Sequence, residues 1–307
     1  MGYPQAGGRY ILKNCEIEFG SGKELLGLCK KQNLPISKIM AQREMHIYNT
    51  TEDSLKERIQ KVIEIMHSSA KSALLEPKRS MGGFIGGEAS KIKQYISSTS
   101  PISGATNAKA VMYAMSVMEV NASMGLIVAA PTAGSAGILP GVLLAAQEDF
   151  DLDNEAIANA LYNAAAVGYI ITKNATVSGA CGGCQAEVGS ASAMASSALV
   201  ELFGGTPEQC LTAANMALSN LLGLICDPVM GYVEEPCQKR NAIGVANAFT
   251  CADMALAGIE SLLTFDEMVA TMGNVGTRLH PDFRETAKGG VAKTYADREL
   301  ERDVDFF

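Results

Sequence analysis

The sequence predicts an all-α fold, a single helical domain whose glycine-rich loops surround one pocket. Three observations predict it. Ala, Leu, Met, Glu and Lys are abundant, apolar residues recur at helical spacing, and apolar/polar alternation never persists long enough for a sheet. A chain of 307 residues allows one large domain or two modest ones. No solenoid repeat or low-complexity linker divides it. We therefore draw a poorly patterned N-terminal extension at 1–20 and one helical domain at 21–307.

The elements follow in order. Glu52 to Glu76 is amphipathic, with Leu55, Ile59, Val62, Ile63 and Met66 at helical spacing, Thr50 or Thr51 as cap and Pro77 as stop. A second long helix runs from Thr106 to about Leu126. Val120 to Gln147 carries no charge, but its prolines and glycines could not satisfy their backbone in lipid. It reads as two buried helix pieces around a small-residue loop, in a soluble protein. Asn154 to Thr172 is Ala-rich and reads as buried on most sides. Thr206-Pro207-Glu208-Gln209 is a capping box with proline at the first helical position, opening a helix to about Leu222. Two more helices are predicted near Gln238–Ala257 and Phe265–Met272.

Composition excludes several functions. The net charge of −8, with no basic stripe, argues against nucleic acid as a partner. Charged residues are 19% of the chain, below the roughly 25% of a typical domain. That deficit predicts a deeply buried core, a large subunit interface, or both. MGYPQAGGRY has no apolar stretch of signal length, so a cytoplasmic location is expected.

Four small-residue segments sit between the helices: 82–91, 131–137, 174–192 and 226–237. Glycines let backbone approach a ligand closely, or they merely allow tight helix packing. Eight cysteines occur, at 15, 29, 181, 184, 210, 226, 237 and 251. Cys181-Gly-Gly-Cys184 lacks the βαβ setting of a redox motif, and zinc lacks a second ligand pair. His46, His67 and His280 are scattered. Cys184, Cys226 and Cys237 lie in the small-residue segments rather than on helix faces. Three thiolates without a fourth suit an iron–sulfur cluster with one iron left open, the alternative being plain burial.

Long motifs then carry a resemblance. GGEASKIKQY (86–95), NASMGLIVAAPTAGSAGILPG (121–141), NATVSGACGGCQAEVGSASAMAS (174–196), LFGGTPEQ (202–209), GLICDPVMGYVEEPCQKRNAIG (223–244) and RETAKGGVAKT (284–294) resemble the α subunit of the iron–sulfur-dependent L-serine dehydratases. The resemblance covers residues from about 22 to 300 in one order. It implies a helical catalytic domain, an oxygen-labile 4Fe-4S cluster on Cys184, Cys226 and Cys237, and no pyridoxal phosphate. It implies L-serine as substrate, pyruvate and ammonia as products, and a place in amino-acid degradation and gluconeogenesis. A separate β subunit is implied as partner, and a higher oligomer is allowed.

Cys181 departs from the family pattern and is not expected to be a ligand. Cys15, Cys29, Cys210 and Cys251 read as core residues. For the proton acceptor two candidates stand, Lys91 if burial lowers its pKa and Ser135 if something deprotonates it. Lys91 could equally be a solvated helix lysine. Thr132, Gly134 and Ser135 are assigned to substrate binding, with backbone N–H groups of 134–137 suited to a carboxylate. Arg240 is a bidentate anchor for that carboxylate, or a partner of Glu234 or Glu235. Asn241, Asn174 and Ser178 complete the substrate set. Glu187 is expected to orient the cluster loop or cap the next helix. Competing readings are an L-cysteine desulfidase on the same scaffold, an electron-transfer or non-catalytic iron–sulfur protein, and a zinc-stabilised scaffold.

Overall fold

Local start and stop signals lay the chain out helix by helix. The structure, a computed structural model, describes residues 17–304; Cys15 and all but the last four residues of the 1–20 extension lie outside the described residues. Among the described residues there are thirteen α-helices and no β-strand. They are α1 (Gly22–Gln32), α2 (Ile36–Tyr48), α3 (Glu52–Leu75), α4 (Glu88–Ser98), α5 (Ala105–Ala122), α6 (Ile138–Asp149) and α7 (Asn154–Asn174). They continue with α8 (Gly179–Gly182), α9 (Ser190–Leu202), α10 (Pro207–Asn220), α11 (Cys237–Leu256), α12 (Phe265–Arg278) and α13 (Gly290–Val304).

Capping explains where several of these begin. Thr51 accepts from the Ser54 N–H, Asp153 from Ala156, and Thr206 forms the predicted box with Gln209. Thr264 forms a second box with Glu267 that the sequence reading did not single out. Helix α12 runs six residues past the predicted Met272 end, to Arg278. Its Gly276 does not stop it, because that glycine packs on α8, where a Cβ would meet the Gly182 Cα at 2.9 Å. The uncharged Val120–Gln147 stretch divides into the last turn of α5, a 3₁₀ turn at Ala133–Ser135, and α6, but only α6 is a buried helix piece: α5 stops at Ala122, four residues short of the predicted Leu126, and Met124 and Leu126 are exposed. Among the described residues no helix is long and apolar enough to cross a membrane.

Helix α9 is the axis of the core. Each residue from Ser190 to Val200 is buried, and α6, α7, α10 and α11 pack around it. Its small side chains permit this, and its hydroxyls find partners: Ser192 donates to the Gly244 carbonyl and Ser197 to Asn163 Oδ1, at 2.9 and 2.6 Å. Helices α5 and α6 cross closely at Gly137 and Gly141, where a Cβ would meet the Ala114 and Ala110 carbonyls at 2.5 and 2.6 Å. For these two glycines the tight-packing reading holds.

The small-residue segments are less loop-like than predicted. Segment 82–91 already contains the start of α4, and 174–192 contains α8, a π-helical turn at Gln185–Gly189 and the start of α9. Such single-turn π insertions concentrate at functional sites.

Candidate metal centre

Separate segments bring Cys184 and Cys226 together, and a third places Cys237 near enough to feel the charge of Cys184. Gly183, at φ 75°, delivers the chain into the π turn, so that Cys184 stands at its start and ahead of α9. Cys226 is fixed by backbone from the far end of the sequence. Its N–H donates to the Phe283 carbonyl at 2.8 Å, and its carbonyl accepts from Glu285 at 2.7 Å. Cys237 is the first residue of α11. Helix N-termini favour negative charge, so two of the three thiols sit where a thiolate is stabilised. All three are buried, at 2%, 3% and 6% exposure.

Burial alone would raise every one of these thiols. Cys184 is instead held below its ordinary value, first by a hydrogen bond from Cys226 and then, against its own burial, by Arg240. Cys226 is pushed up by acting as that donor, and by burial. Cys237 is pushed up by burial and by negative charge on Cys184. The Arg240 Nη1 lies 3.7 Å from Cys184 Sγ, donates to the Ile225 carbonyl at 2.8 Å and ion-pairs with Asp227 at 2.7 Å.

Glu187, inside the π turn, completes the group. One of its oxygens and the sulfurs of Cys184 and Cys226 all lie within 4.8 Å of one another. Glycine makes the room, since a Cβ at Gly179 would come within 2.6 Å of Glu187 Oε2 and 2.9 Å of Cys226 Sγ. Burial raises the Glu187 carboxyl. Its Oε1 accepts from Thr132 Oγ1 at 2.7 Å, and Thr132 Oγ1 lies 3.2 Å from the fully buried Ser135 Oγ. A hydroxyl has one proton, and Thr132 gives its own to the carboxylate. Ser135 is then the donor to Thr132, in a directional chain from Ser135 through Thr132 to Glu187.

The remaining predicted residues divide. Thr132, Gly134 and Ser135 are brought to the centre. Asn241 is buried, but its amide staples the 131–137 turn to α11, donating to the Gly134 and Cys237 carbonyls at 2.9 Å each and accepting from Gly137 N–H at 3.1 Å. Arg240 is engaged with Asp227, not with Glu234 or Glu235. Glu234 is turned to Ser80 Oγ and the Gly82 and Phe84 N–H groups, and Glu235 pairs with Lys239. Ser178 starts α8, its carbonyl accepting from Cys181 and Gly182.

Asn174 is not at the centre, because its amide donates to the Gly20 and Ile170 carbonyls at 2.7 and 2.8 Å and so ends α7. Lys91 lacks the burial that a general base here requires. Its side chain is 76% exposed on α4 and pairs with Glu88 at 3.7 Å. Three of the four backbone amides assigned to a carboxylate are also engaged. Ser135, Ala136 and Gly137 donate to Thr132, Ala133 and Asn241.

Sequence reasoning gave Glu187 only a supporting part and missed Asp227. Glu187 stands three residues after Cys184, one helical turn on, and that spacing was a usable signal. The Asp227–Arg240 pair had none, since thirteen positions and a folded loop separate the two. A cavity of about 510 Å³ between α2, α3 and α7 lies elsewhere, and none of the three thiols lines it. Buried thiols from three segments, a cation on one of them and a carboxylate beside two form a donor set suited to a soft metal or an iron–sulfur group.

Comparison with known proteins agrees in kind. A family model described as "Serine dehydratase alpha chain" matches residues 31–292. The L-serine dehydratase alpha chain of Peptoniphilus asaccharolyticus is 46% identical over 92% of this chain and 97% of its own length. A probable L-serine dehydratase alpha chain of Bacillus subtilis is 44% identical, covering 93% and 95%. An L-serine dehydratase of Helicobacter pylori is 36% identical over 90% of this chain but only 62% of its own length.

Proposed function

The chain belongs to the serine dehydratase alpha-chain family, and from that premise we propose that it is the catalytic subunit of an L-serine ammonia-lyase, a carbon–oxygen lyase. In this reading Cys184, Cys226 and Cys237 hold a 4Fe-4S cluster, and no pyridoxal phosphate takes part. The observation that carries it is the close pair of buried thiols Cys184 and Cys226, with the buried Cys237 thiol within their electrostatic reach and Arg240 against Cys184.

Elimination breaks the Cα–H and Cβ–O bonds of serine, forms the C=C bond of aminoacrylate and releases water. Aminoacrylate then tautomerises and hydrolyses to pyruvate and ammonia. When bound, a cluster with one iron free of cysteine supplies a Lewis acid for the departing hydroxyl. The chain's own residues supply the proton chemistry and the orientation. We assign the proton acceptor to Ser135 rather than Lys91: Ser135 is buried, and its own proton can pass to Thr132 as Thr132 gives its proton to the Glu187 carboxylate, which leaves the Ser135 oxygen free to take the Cα proton. Thr132 and Gly134 line the substrate. Asn241 holds the turn that carries them, and Arg240, itself paired with Asp227, lies against Cys184 and favours its thiolate beside the Cys226 hydrogen bond.

A separate β subunit completes the enzyme. Two relatives bear the name alpha chain, and the Helicobacter relative carries over a third of its length beyond the match. The seven free cysteines among the described residues suit a reducing compartment, so we place the enzyme in the cytoplasm. The test is anaerobic reconstitution with iron and sulfide, followed by pyruvate formation from L-serine with and without a candidate β subunit. Pyruvate from L-serine supports the assignment. Pyruvate from L-cysteine alone turns it to desulfidation, and a colourless protein free of iron removes the cluster.

A further inference from the structure

We propose that the Glu187 carboxylate is a fourth protein ligand of the centre, occupying the position the three cysteines leave open until substrate displaces it. The proposal rests on the cluster reading above and adds a residue to it. Among the described residues, the group formed by Glu187 with Cys184 and Cys226 is the one set of three or more His, Cys, Asp or Glu side chains whose ligand atoms all lie within 4.8 Å. Cys237 stands outside that tight set, so a carboxylate oxygen, not the third thiol, completes it.

The carboxylate is also seated for such a role. Its Oε1 is taken by Thr132 at 2.7 Å, while the one atom paired with Oε2 is Cys226 Sγ, at 3.8 Å. A thiol is a weak donor with one proton, and the Cys226 proton is already directed at Cys184, so a half-buried carboxylate is left with one strong partner and no ion pair among the described residues. Two glycines close around it. A Cβ at Gly134 would meet Oε1 at 2.9 Å and one at Gly179 would meet Oε2 at 2.6 Å. That leaves Oε2 3.8 Å from Cys226 Sγ without a strong donor, with a direct metal bond as the interaction that would satisfy it. The chemistry suits a position that must open and close. Carboxylate oxygen is a harder donor than thiolate and yields more readily to a competing substrate carboxylate or hydroxyl.

The test uses the anaerobically reconstituted full chain. Wild type made with carboxyl-¹³C-glutamate should show ¹³C coupling to the reduced cluster in electron–nuclear double resonance, and L-serine should abolish it. Glu187→Gln should retain the wild-type sulfide content but lose its fourth iron to ferricyanide about tenfold faster or more, in line with the cost of removing a ligand-sphere residue. Wild type without ¹³C coupling overturns the proposal whatever the variant does, and leaves the cluster reading intact. So does a Glu187→Gln protein that holds its fourth iron as long as wild type. A wild type that takes up neither iron nor sulfide overturns the cluster reading itself, and the proposal with it.

Discussion

Six of the described cysteines are buried, and they form two sets with different surroundings. Cys29, Cys210 and Cys251 sit on the faces of α1, α10 and α11 within the helical core, at 4%, 0% and 0% exposure. Burial pushes Cys29 and Cys251 up to about 12 and raises Cys210 as well. Cys184, Cys226 and Cys237 are as deeply buried, yet they lie where helices begin or segments cross, with Arg240, Glu187 and one another as neighbours. There one thiol is driven down while its partners go up. Depth therefore does not separate the two sets; the charged groups and thiols beside each cysteine do.

The largest effect expected follows from that contrast. Cys184→Ser, Cys226→Ser or Cys237→Ser should each abolish serine dehydration, measured as pyruvate formed anaerobically, whereas Cys210→Ser should keep it within a few-fold. Equal losses in the two sets would erase the distinction. Next comes Thr132→Val, which cuts the hydroxyl chain while leaving the thiols in place. We expect kcat to fall about 100-fold or more, the scale of lost acid–base assistance, with iron content unchanged. A variant with normal kcat would remove Thr132 and Ser135 from the proton path.

Much of this was legible in the sequence, and the division has a physical cause. Caps are local, so the Thr206 box and the Thr51 start could be read from a few adjacent residues. The three cysteines were legible because they stand in small-residue segments and in long motifs. Lys91 and Asn174 show the converse: both share motifs with the site, but helix phase turns one to solvent and the other to the end of α7. Arg240 likewise reaches Asp227 rather than the nearer Glu234 and Glu235, which are engaged by Ser80 with the 82–84 backbone and by Lys239. The roles of Glu187 depend on a π turn, and no propensity announces that turn.

Two glycines sharpen the comparison between centre and core. Gly141→Ala places a Cβ 2.6 Å from the Ala110 carbonyl where α5 and α6 cross. Denaturant unfolding should show a loss of about 1–3 kcal/mol, the usual cost of overpacking, with the activity of the folded fraction retained. Gly179→Ala, crowding Glu187 and Cys226 instead, should do the reverse. Iron uptake should fall while the unfolding midpoint of the iron-free chain moves little. If both variants lost only stability, the glycine at the centre would be a packing residue like the other.

The smallest effect is in alkaline stability. Cys29 rises from an ordinary 9.0 to about 12 on folding, so the folded state holds its proton where the unfolded state releases it. The stabilisation is complete below pH 9 and is lost as pH rises towards 12. Cys29→Ser should accordingly flatten part of the fall in Tm over that range, and an unchanged slope would show that Cys29 does not contribute.

Iron per chain after anaerobic reconstitution, compared between Cys226→Ser and Cys251→Ser, tests the central claim most directly. The account predicts about four irons in wild type and in Cys251→Ser, and loss of the cluster in Cys226→Ser. Equal iron in the two variants would contradict it.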